Sequence, residues 1–136
     1  MSLFKKIAYQ KLNARQKENY NYHKISAVLA EYGFTTLRLS DDWQGADFIA
    51  QPVNGGQFLK VQLKGRLTFC KKYLGKKLYI AFHEAGKCYL YRHDELFRKV
   101  ARISNIEQTA SWVTKGEYHF PSLPANYHSI LEKYVL

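Results

Sequence analysis

Residues 45–64, GADFIAQPVNGGQFLKVQLK, decide the fold of this chain. They contain two runs of strand-like composition, 46–50 and 57–64, separated by a connection that includes Asn54, Gly55 and Gly56. Glycine adopts the positive φ of a tight turn at no steric cost, and such a turn between two strand-like runs is typical of a hairpin. The stretch therefore predicts a β-hairpin.

The second run of this hairpin carries a polar face. Its side chains alternate between two sets, Phe58, Lys60, Gln62 and Lys64 in one and Leu59, Val61 and Leu63 in the other. Since successive side chains of a strand point to opposite faces, each set shares one face. Asp47 lies on the partner strand, near the same end of the hairpin. The pattern predicts that Asp47, Gln62 and Lys64 converge there.

A helix is predicted upstream of the hairpin, over residues 13–32. Asn13 followed by Gln16 matches a capping box, in which each side chain satisfies a backbone donor of the other residue, and Gly33 is a typical C-terminal stop. The apolar residues fall on one helical stripe, which consists of Tyr22, Ile25, Val28, Leu29 and Tyr32. This spacing predicts an amphipathic helix packed on the sheet.

Glu18 lies four residues before Tyr22 and seven before Ile25, which places it on the same stripe. An acid facing the core is costly unless it is paired or bound to a cation. Two interpretations remain open: a carboxylate held over the sheet as a metal ligand, or a surface acid paired with Tyr22 or a neighbouring lysine at the edge of the stripe. Asp41 and Asp42, in a predicted polar turn, are alternative acids for a site.

The arrangement of Asp47, a turn and a hydrophobic strand ending in Gln62-Leu63-Lys64 resembles the signature of the PD-(D/E)XK nuclease superfamily. That superfamily includes restriction endonucleases, Holliday-junction resolvases and some homing endonucleases. The resemblance covers about residues 13–97, with Glu18 at the family's helical acid position. It departs from the pattern at Ala46, where the family name has proline, and at Gln62, where an acid is usual.

The resemblance implies a metal-dependent DNA endonuclease that hydrolyses phosphodiester bonds. Glu18, Asp47 and Gln62, together with the Leu63 carbonyl, would hold Mg²⁺, for which Mn²⁺ is expected to substitute. Lys64 would orient the attacking water and counter the developing charge. Because Gln62 removes one negative charge from the site, we expect activity to require millimolar Mg²⁺ or Mn²⁺.

The remaining pattern predicts an α+β fold with a central mixed sheet flanked by helices. Strands are expected at 34–40, 78–82 and 87–92, and a helix capped by Asp94 should follow. Residues 111–113 and 117–120 predict a small hairpin, and 125–134 predict a last helix. We interpret 1–136 as a single domain, with a core of about 13–104 and an extension, 105–136, that completes the core or forms a subunit interface.

The charge of the chain indicates a polyanionic partner. Its formal net charge is +10, its pI is about 9.6, and 46% of its residues are hydrophobic, which favours a folded basic domain. Cations are concentrated around and after the second hairpin strand, and the predicted nucleic-acid-binding residues are Lys60, Arg66, Lys71, Lys72, Lys76 and Lys77. Aromatic residues interleaved with them would pack on the nucleic acid or, alternatively, enter the protein core.

Other classes of protein fit the sequence poorly. No apolar run approaches the ~20 residues that a membrane-spanning helix needs, and the N-terminus has no signal-peptide pattern, so a cytoplasmic protein is expected. Cys70 and Cys88 lack metal-ligand spacing and are predicted to be apolar fillers. The histidines are scattered, which disfavours a histidine-metal nuclease.

Two alternatives to a nuclease stay open at this point. Gln62 favours a non-catalytic DNA-binding module of the same fold, and the polar residues are also compatible with a small basic interaction protein. For the endonuclease, the expected partner is double-stranded DNA. Since a domain of this size presents one active site, cutting both strands predicts a homodimer or homotetramer.

Overall fold

A five-stranded mixed sheet organises the computed structural model, which describes residues 2–136. The strands are β1 (Phe34–Trp43), β2 (Ala46–Pro52), β3 (Leu59–Leu63), β4 (Thr68–Cys70), β5 (Tyr79–Glu84), β6 (Lys87–Arg92) and β7 (Glu117–His119). The α-helices are α1 (Ala14–Glu31), α2 (His93–Ile103) and α3 (His128–Leu131). The order of strands in the large sheet is β1-β2-β3-β5-β6, with β3 and β5 parallel and the other pairs antiparallel. This architecture confirms the predicted α+β class.

The β2–β3 hairpin is confirmed. Phe48 pairs with Val61 and Ile49 with Lys60, and Gly55 in the connection has a φ of +76°. Phe48 and Val61 are both buried, whereas Lys60 is only half-buried. The alternation therefore separates an apolar face from a polar face, as the sequence pattern predicts.

The N-terminal end of α1 is also confirmed. The Gln16 N–H donates to Asn13 Oδ1 and the Asn13 N–H donates to Gln16 Oε1, both at 2.9 Å, and Gly33 follows the helix with a φ of +79°. Tyr22, Ile25 and Leu29 are buried against the sheet, but Tyr32 is 57% exposed. The predicted stripe is thus too long by one turn, because the helix runs past the edge of the apolar surface at Tyr32.

Two apolar clusters form the core. One lies between α1 and one face of the sheet. The other joins the opposite face of the sheet to α2 and the C-terminal extension. Trp112, Phe120, Tyr127 and Leu131 of the extension are all buried in the second cluster. Of the two roles predicted for residues 105–136, the structure shows the first: the extension completes the core.

The predicted hairpin in this extension was wrong. Residues 111–115 form a π-helical turn that ends at Gly116, whose φ is +71°. Strand β7 pairs instead with β4, Phe69 lying opposite Tyr118. The predicted last helix is divided into a 3-10 turn at 125–127, α3, and a second 3-10 turn at 132–134. The backbone of β7 therefore finds its hydrogen-bonding partner in a strand distant in sequence, which the local turn signal could not indicate.

Asp94 was wrongly predicted as a helix cap. Helix α2 begins one residue earlier, and its N-cap residue, Arg92, makes no side-chain cap. The Asp94 carboxylate accepts a hydrogen bond from the Gly75 N–H at 2.8 Å and contacts His93 Nδ1 at 2.9 Å. Because His93 is wholly buried, it takes Asp94 as its partner.

His93 is held in its neutral form. Its Nε2 accepts a hydrogen bond from the Cys70 N–H at 3.0 Å, so Nδ1 carries the proton that is donated to Asp94. Burial lowers the pKa of His93, against the opposing effect of Asp94. Protonation of Nε2 would replace the bond from Cys70 with a contact between two donors.

We expect acid to destabilise the fold through His93. The unfolded chain binds a proton at a histidine pKa near ~6.5, whereas native His93 binds it only at a lower pH, so the free energy of unfolding falls as pH drops below that value. Chemical denaturation from neutral pH to pH ~5 measures the slope. His93→Gln should flatten it, and the exposed His23→Gln should leave it unchanged. A His93→Gln variant with the wild-type slope would contradict this assignment.

Cys70 and Cys88 are buried and unpaired with each other, which confirms their prediction as apolar fillers. Within residues 2–136, the helices are all too short or too polar to cross a bilayer.

Candidate active site

Asp47 lies where β2 begins and β3 ends. It is half-buried, and its Oδ2 accepts a hydrogen bond from the Leu63 N–H at 2.8 Å. Burial raises the pKa of Asp47, as do the charges of Glu18 and Asp42, whereas the Leu63 N–H and the charge of Lys64 lower it. Burial thus disfavours the charged form of Asp47 more than the Leu63 N–H and Lys64 favour it.

Lys64 extends from the end of β3 into the same neighbourhood. Its backbone N–H donates to the Ala81 carbonyl at 2.9 Å, which fixes the chain beyond the strand. Its ammonium lies 5.5 Å from the centre of the Tyr73 ring, and its charge acts on Asp47. Tyr73 is buried, and burial raises the pKa of its hydroxyl, so the ring stays neutral. The structure therefore brings Lys64 and Asp47 together, as the pattern predicts.

Glu18 does not face the core, and the prediction that it lies on the buried stripe was wrong. Its side chain is 45% exposed, and its Oε1 accepts a hydrogen bond from Arg38 Nη2 at 3.0 Å. The burial of α1 begins only at Tyr22, one turn later. Glu18 matches the alternative interpretation of a surface acid at the edge of the stripe, but its partner is Arg38 and not the predicted Tyr22 or lysine.

Glu18 nevertheless lies near the end of β3 that carries Lys64. Together with Leu63 and Lys64 it lines a cavity of about 290 Å³ between the start of α1 and the end of β3. Its charge is also close enough to raise the pKa of Asp47. The helix thus supplies a second carboxylate to this end of the sheet.

Gln62 is half-buried and interacts with its neighbour in the chain. Its Nε2 donates to the Leu63 carbonyl at 3.3 Å, so two of the predicted metal ligands are bonded to each other. The bond engages the amide nitrogen of Gln62 and one lone pair of the Leu63 carbonyl, so the Gln62 amide oxygen stays available to a cation.

The oxygen donors at this site suit a hard divalent cation. Within residues 2–136, no group of three or more His, Cys, Asp or Glu side chains could hold a metal ion. Mg²⁺ does not need such a group, because it usually takes one or two carboxylates and fills its other positions with water or substrate oxygens. Asp47 and Glu18, with the neutral oxygens of Gln62 and Leu63, fit that pattern. Sulfur and imidazole ligands typical of zinc are missing from the set.

The predicted nucleic-acid-binding cations lie at the surface. Arg66, Lys71, Lys72, Lys76 and Lys77 are exposed and Lys60 is half-buried. Lys71 lies 5.5 Å from the Trp112 ring centre and Lys72 lies 5.4 Å from that of Tyr73. Of the interleaved aromatics, Phe69 and Tyr73 are buried. The alternative interpretation of these rings is therefore confirmed: they anchor the segment in the core.

Sequence reasoning missed two residues of this site. Arg38 binds Glu18 and also donates to Asn19 Oδ1 at 2.6 Å. It is a lone cation between Leu37 and Leu39. A charged residue within an apolar strand could have indicated that an acidic or polar partner lies nearby. Tyr73, which lies under Lys64, carried no signal beyond its aromatic character. Asp42, one of the alternative acids, accepts a hydrogen bond from the Gly45 N–H at 2.7 Å and acts on Asp47 only through its charge.

Comparisons with known proteins identify the fold. No family model matches the chain, and no curated protein sequence matches it. Among solved structures, it is similar to the bacterial homing endonuclease I-Ssp6803I, with a TM-score of 0.50 and 15% identity, over 89% of this chain and 93% of that one. The Holliday junction resolvase Hjc of Archaeoglobus fulgidus is similar over 57% of this chain and 74% of its own, with a TM-score of 0.46 and 14% identity. The predicted resemblance is confirmed at the level of the fold, which is restriction endonuclease-like.

Proposed function

We propose, for a chain with the restriction endonuclease-like fold, that it is a DNA endonuclease that hydrolyses phosphodiester bonds with the help of a divalent cation. One observation carries the proposal. Glu18 and Lys64, from separate elements, line one cavity at the end of β3, and the charges of both act on Asp47 of the neighbouring strand. Titratable groups whose pKa is shifted by burial and by a specific charged neighbour are common at functional sites, and Asp47 beside Lys64 is such a group.

Asp47 and Glu18 would hold Mg²⁺ or Mn²⁺, and the Gln62 amide or the Leu63 carbonyl would add a neutral oxygen. Such an ion lowers the pKa of a bound water and withdraws charge from the phosphate. The hydrogen bond from the Leu63 N–H fixes one oxygen of Asp47 and leaves the other carboxylate oxygen to bind a cation. The protein thereby orients its principal ligand in advance.

Lys64 would serve as the group that orients the attacking water and compensates negative charge on the phosphate. The Tyr73 ring restricts where the ammonium can lie, since the ring face attracts the cation. Buried Tyr73 thus acts as a positioning residue for Lys64.

Arg38 opposes the cation at Glu18. The ion pair of 3.0 Å must be shared or broken before the Glu18 carboxylate binds a metal ion. With Gln62 in place of an acid, Asp47 is left as the main source of negative charge. Weak binding in the millimolar range is therefore expected, and a DNA phosphate that contributes oxygen would strengthen it.

The substrate we propose is double-stranded DNA. The net charge of +10 and the exposed cations after β3 suit a phosphate backbone. Since a single site reaches one strand at a time, cutting both strands would require a homodimer or homotetramer.

A cleavage assay tests the proposal. Supercoiled plasmid incubated with purified protein should be nicked or linearised in millimolar Mg²⁺ or Mn²⁺. The cation is needed because the protein groups of the site do not by themselves activate water and neutralise the phosphate. Chelator should stop the reaction and added Mg²⁺ should restore it. Equal cutting in chelator would contradict a metal-dependent mechanism.

A second candidate function is a DNA-binding module of the same fold without catalysis. It is favoured by the two contacts that occupy predicted ligands, Gln62 with the Leu63 carbonyl and Arg38 with Glu18. The same assay separates the two functions. Binding of DNA with no cleavage in either cation would select the module.

A further inference from the structure

A second basic surface lies at the end of β3 opposite the candidate active site. We call it the cationic cleft, and it consists of two adjoining cavities. The first, of about 150 Å³, is lined by Gln57, Phe58, Lys60, Lys77, Tyr79 and Arg92. The second, of about 480 Å³, shares Lys77 and Arg92 with it and extends along the first turns of α2 to Arg98.

The charge of the cleft is predominantly positive. Its cations are Lys60, Lys77, Arg92 and Arg98, and no ion pair within residues 2–136 involves any of them. Two acids also line it, Asp94 and Glu95. Asp94 is engaged by the Gly75 N–H and His93, and Glu95 lies 3.7 Å from Lys99. The cleft therefore offers more positive charge than its own acids can neutralise, which suits a polyanion.

Phe58 gives the cleft an aromatic surface. Its side chain is 55% exposed, beside Lys60, Lys77 and Arg92. Most large aromatic rings of this chain are buried, whereas this one shares a cavity with cations. An exposed ring among lysines and arginines is the combination that binds single-stranded nucleic acid, because bases stack on the ring while the cations contact phosphates.

Lys77 occupies a backbone conformation that favours glycine. Its φ is +55°, in the left-handed region where a side chain is unfavourable. Lys77 thus places a charged side chain at a turn where glycine would suit the backbone. Since Lys77 lines both cavities, that charge is placed at the centre of the cleft.

Lys60 links the cleft to the β1–β2 turn. Lys60 Nζ donates to Gln44 Oε1 at 2.9 Å and lies 5.6 Å from the centre of the exposed Trp43 ring. These two residues come shortly before Asp47 in the chain.

We infer that the cationic cleft binds a nucleic-acid segment with unpaired bases, with phosphates on Lys77, Arg92 and Arg98 and a base on Phe58. The inference rests on the proposed function in taking nucleic acid as the ligand. It goes beyond that function in assigning a second surface and a single-stranded segment of the substrate to it.

Fluorescence anisotropy with a labelled single-stranded oligothymidine, in chelator and over a range of salt concentrations, tests the inference. Phe58→Ala should weaken binding about 5- to 100-fold, the equivalent of losing one stacked base. It should leave the salt dependence unchanged because no charge is removed. Binding to a fully paired duplex should hardly change, since paired bases are not available to stack on the ring.

Lys77→Gly provides a complementary measurement. It should weaken binding and reduce the slope of log K against log salt by about 0.7, as expected for one lost contact to a single strand. Its thermal midpoint should be unchanged or raised, because glycine suits the backbone better. A lysine with a merely structural role would give the opposite result, a loss of stability without a change in slope.

Two control variants match these changes. Ala85→Gly relieves a similar left-handed backbone conformation, with φ of +52°, at a position outside the cleft. Arg102→Gln removes an exposed positive charge farther along α2. Neither should weaken binding by more than a small factor. Wild-type affinity of Phe58→Ala for the single strand, or an equal effect of Arg102→Gln and Lys77→Gly, would overturn the inference.

The binding measurements test the cleft separately from the proposed cleavage activity. If the protein cuts DNA in Mg²⁺ while these variants bind normally, the cleft assignment fails and the endonuclease stands. If the variants lose binding and the wild type never cuts, the cleft assignment stands and the endonuclease fails.

Discussion

Asp47→Asn is expected to reduce DNA cleavage by about 100- to 1,000-fold, the usual effect of removing one essential electrostatic group, and to stabilise the metal-free protein. Asparagine keeps an oxygen that accepts the Leu63 N–H, so the local geometry is preserved. What it removes is a charge that burial disfavours, as the raised pKa of Asp47 shows. A raised native pKa means that ionisation at neutral pH costs folding free energy, and the neutral amide avoids that cost.

Two measurements test this expectation: the cleavage rate, and the thermal unfolding midpoint with and without Mg²⁺. Mg²⁺ should raise the midpoint of the wild type, since a ligand stabilises the state that binds it, but not that of Asp47→Asn. Lowering the pH should weaken the Mg²⁺ effect sooner than for an ordinary aspartate, because protons compete for a carboxylate of raised pKa. Asp41→Asn, at an exposed acid of β1, is the matched control and should behave as wild type. An Asp47→Asn protein that cleaves normally would remove Asp47 from the mechanism.

The parts of the fold that the sequence predicts well are those with local causes. The capping box of Asn13 and Gln16 and the glycine turn of the β2–β3 hairpin depend on residues a few positions apart. The alternation along β3 depends only on the geometry of a strand. Each of these features is therefore readable without knowledge of the rest of the chain.

The wrong predictions concern segments whose structure is determined by a partner distant in sequence or by a competing side chain. Strand β7 pairs with β4, about fifty residues earlier, so its local turn signal at Gly116 was misleading. Asp94 could cap its helix by sequence, yet buried His93 binds it instead. Such competition depends on which side chains the complete fold brings close.

The site shows the same division. Asp47 and Lys64 were predictable because both belong to one hairpin and its immediate end. Glu18 comes from another element; it lines a cavity with Lys64, but its periodicity placed it wrongly in the core. Arg38, on the neighbouring strand, decided the outcome by offering Glu18 an exposed ion pair. Helical spacing locates a residue on a face, but burial depends on where the opposing surface ends.

Lys64→Met should reduce the cleavage rate by about 100-fold or more, the usual loss on removing a group that stabilises the transition state, with little change in fold stability. Methionine retains an unbranched side chain that packs on the Tyr73 ring while removing the ammonium. The charge of Lys64 lowers the pKa of Asp47, so its loss should raise that pKa further. Stabilisation by Mg²⁺ should then decline at a higher pH than in the wild type, which a thermal unfolding series over pH detects.

Lys72→Met is a closely matched control for this variant. Lys72 contacts the same Tyr73 ring, at 5.4 Å from its centre, but its charge is not among the main causes of the pKa shift of Asp47. Removing its charge should weaken DNA binding slightly, in line with one lost phosphate contact, and should leave both the maximal cleavage rate and the pH dependence of the Mg²⁺ effect unchanged. If Lys64→Met and Lys72→Met slow cleavage equally, Lys64 contributes only to the general positive charge. A selective loss at Lys64, accompanied by the shift in pH dependence, would identify it as the group that acts on the reacting phosphate beside Asp47.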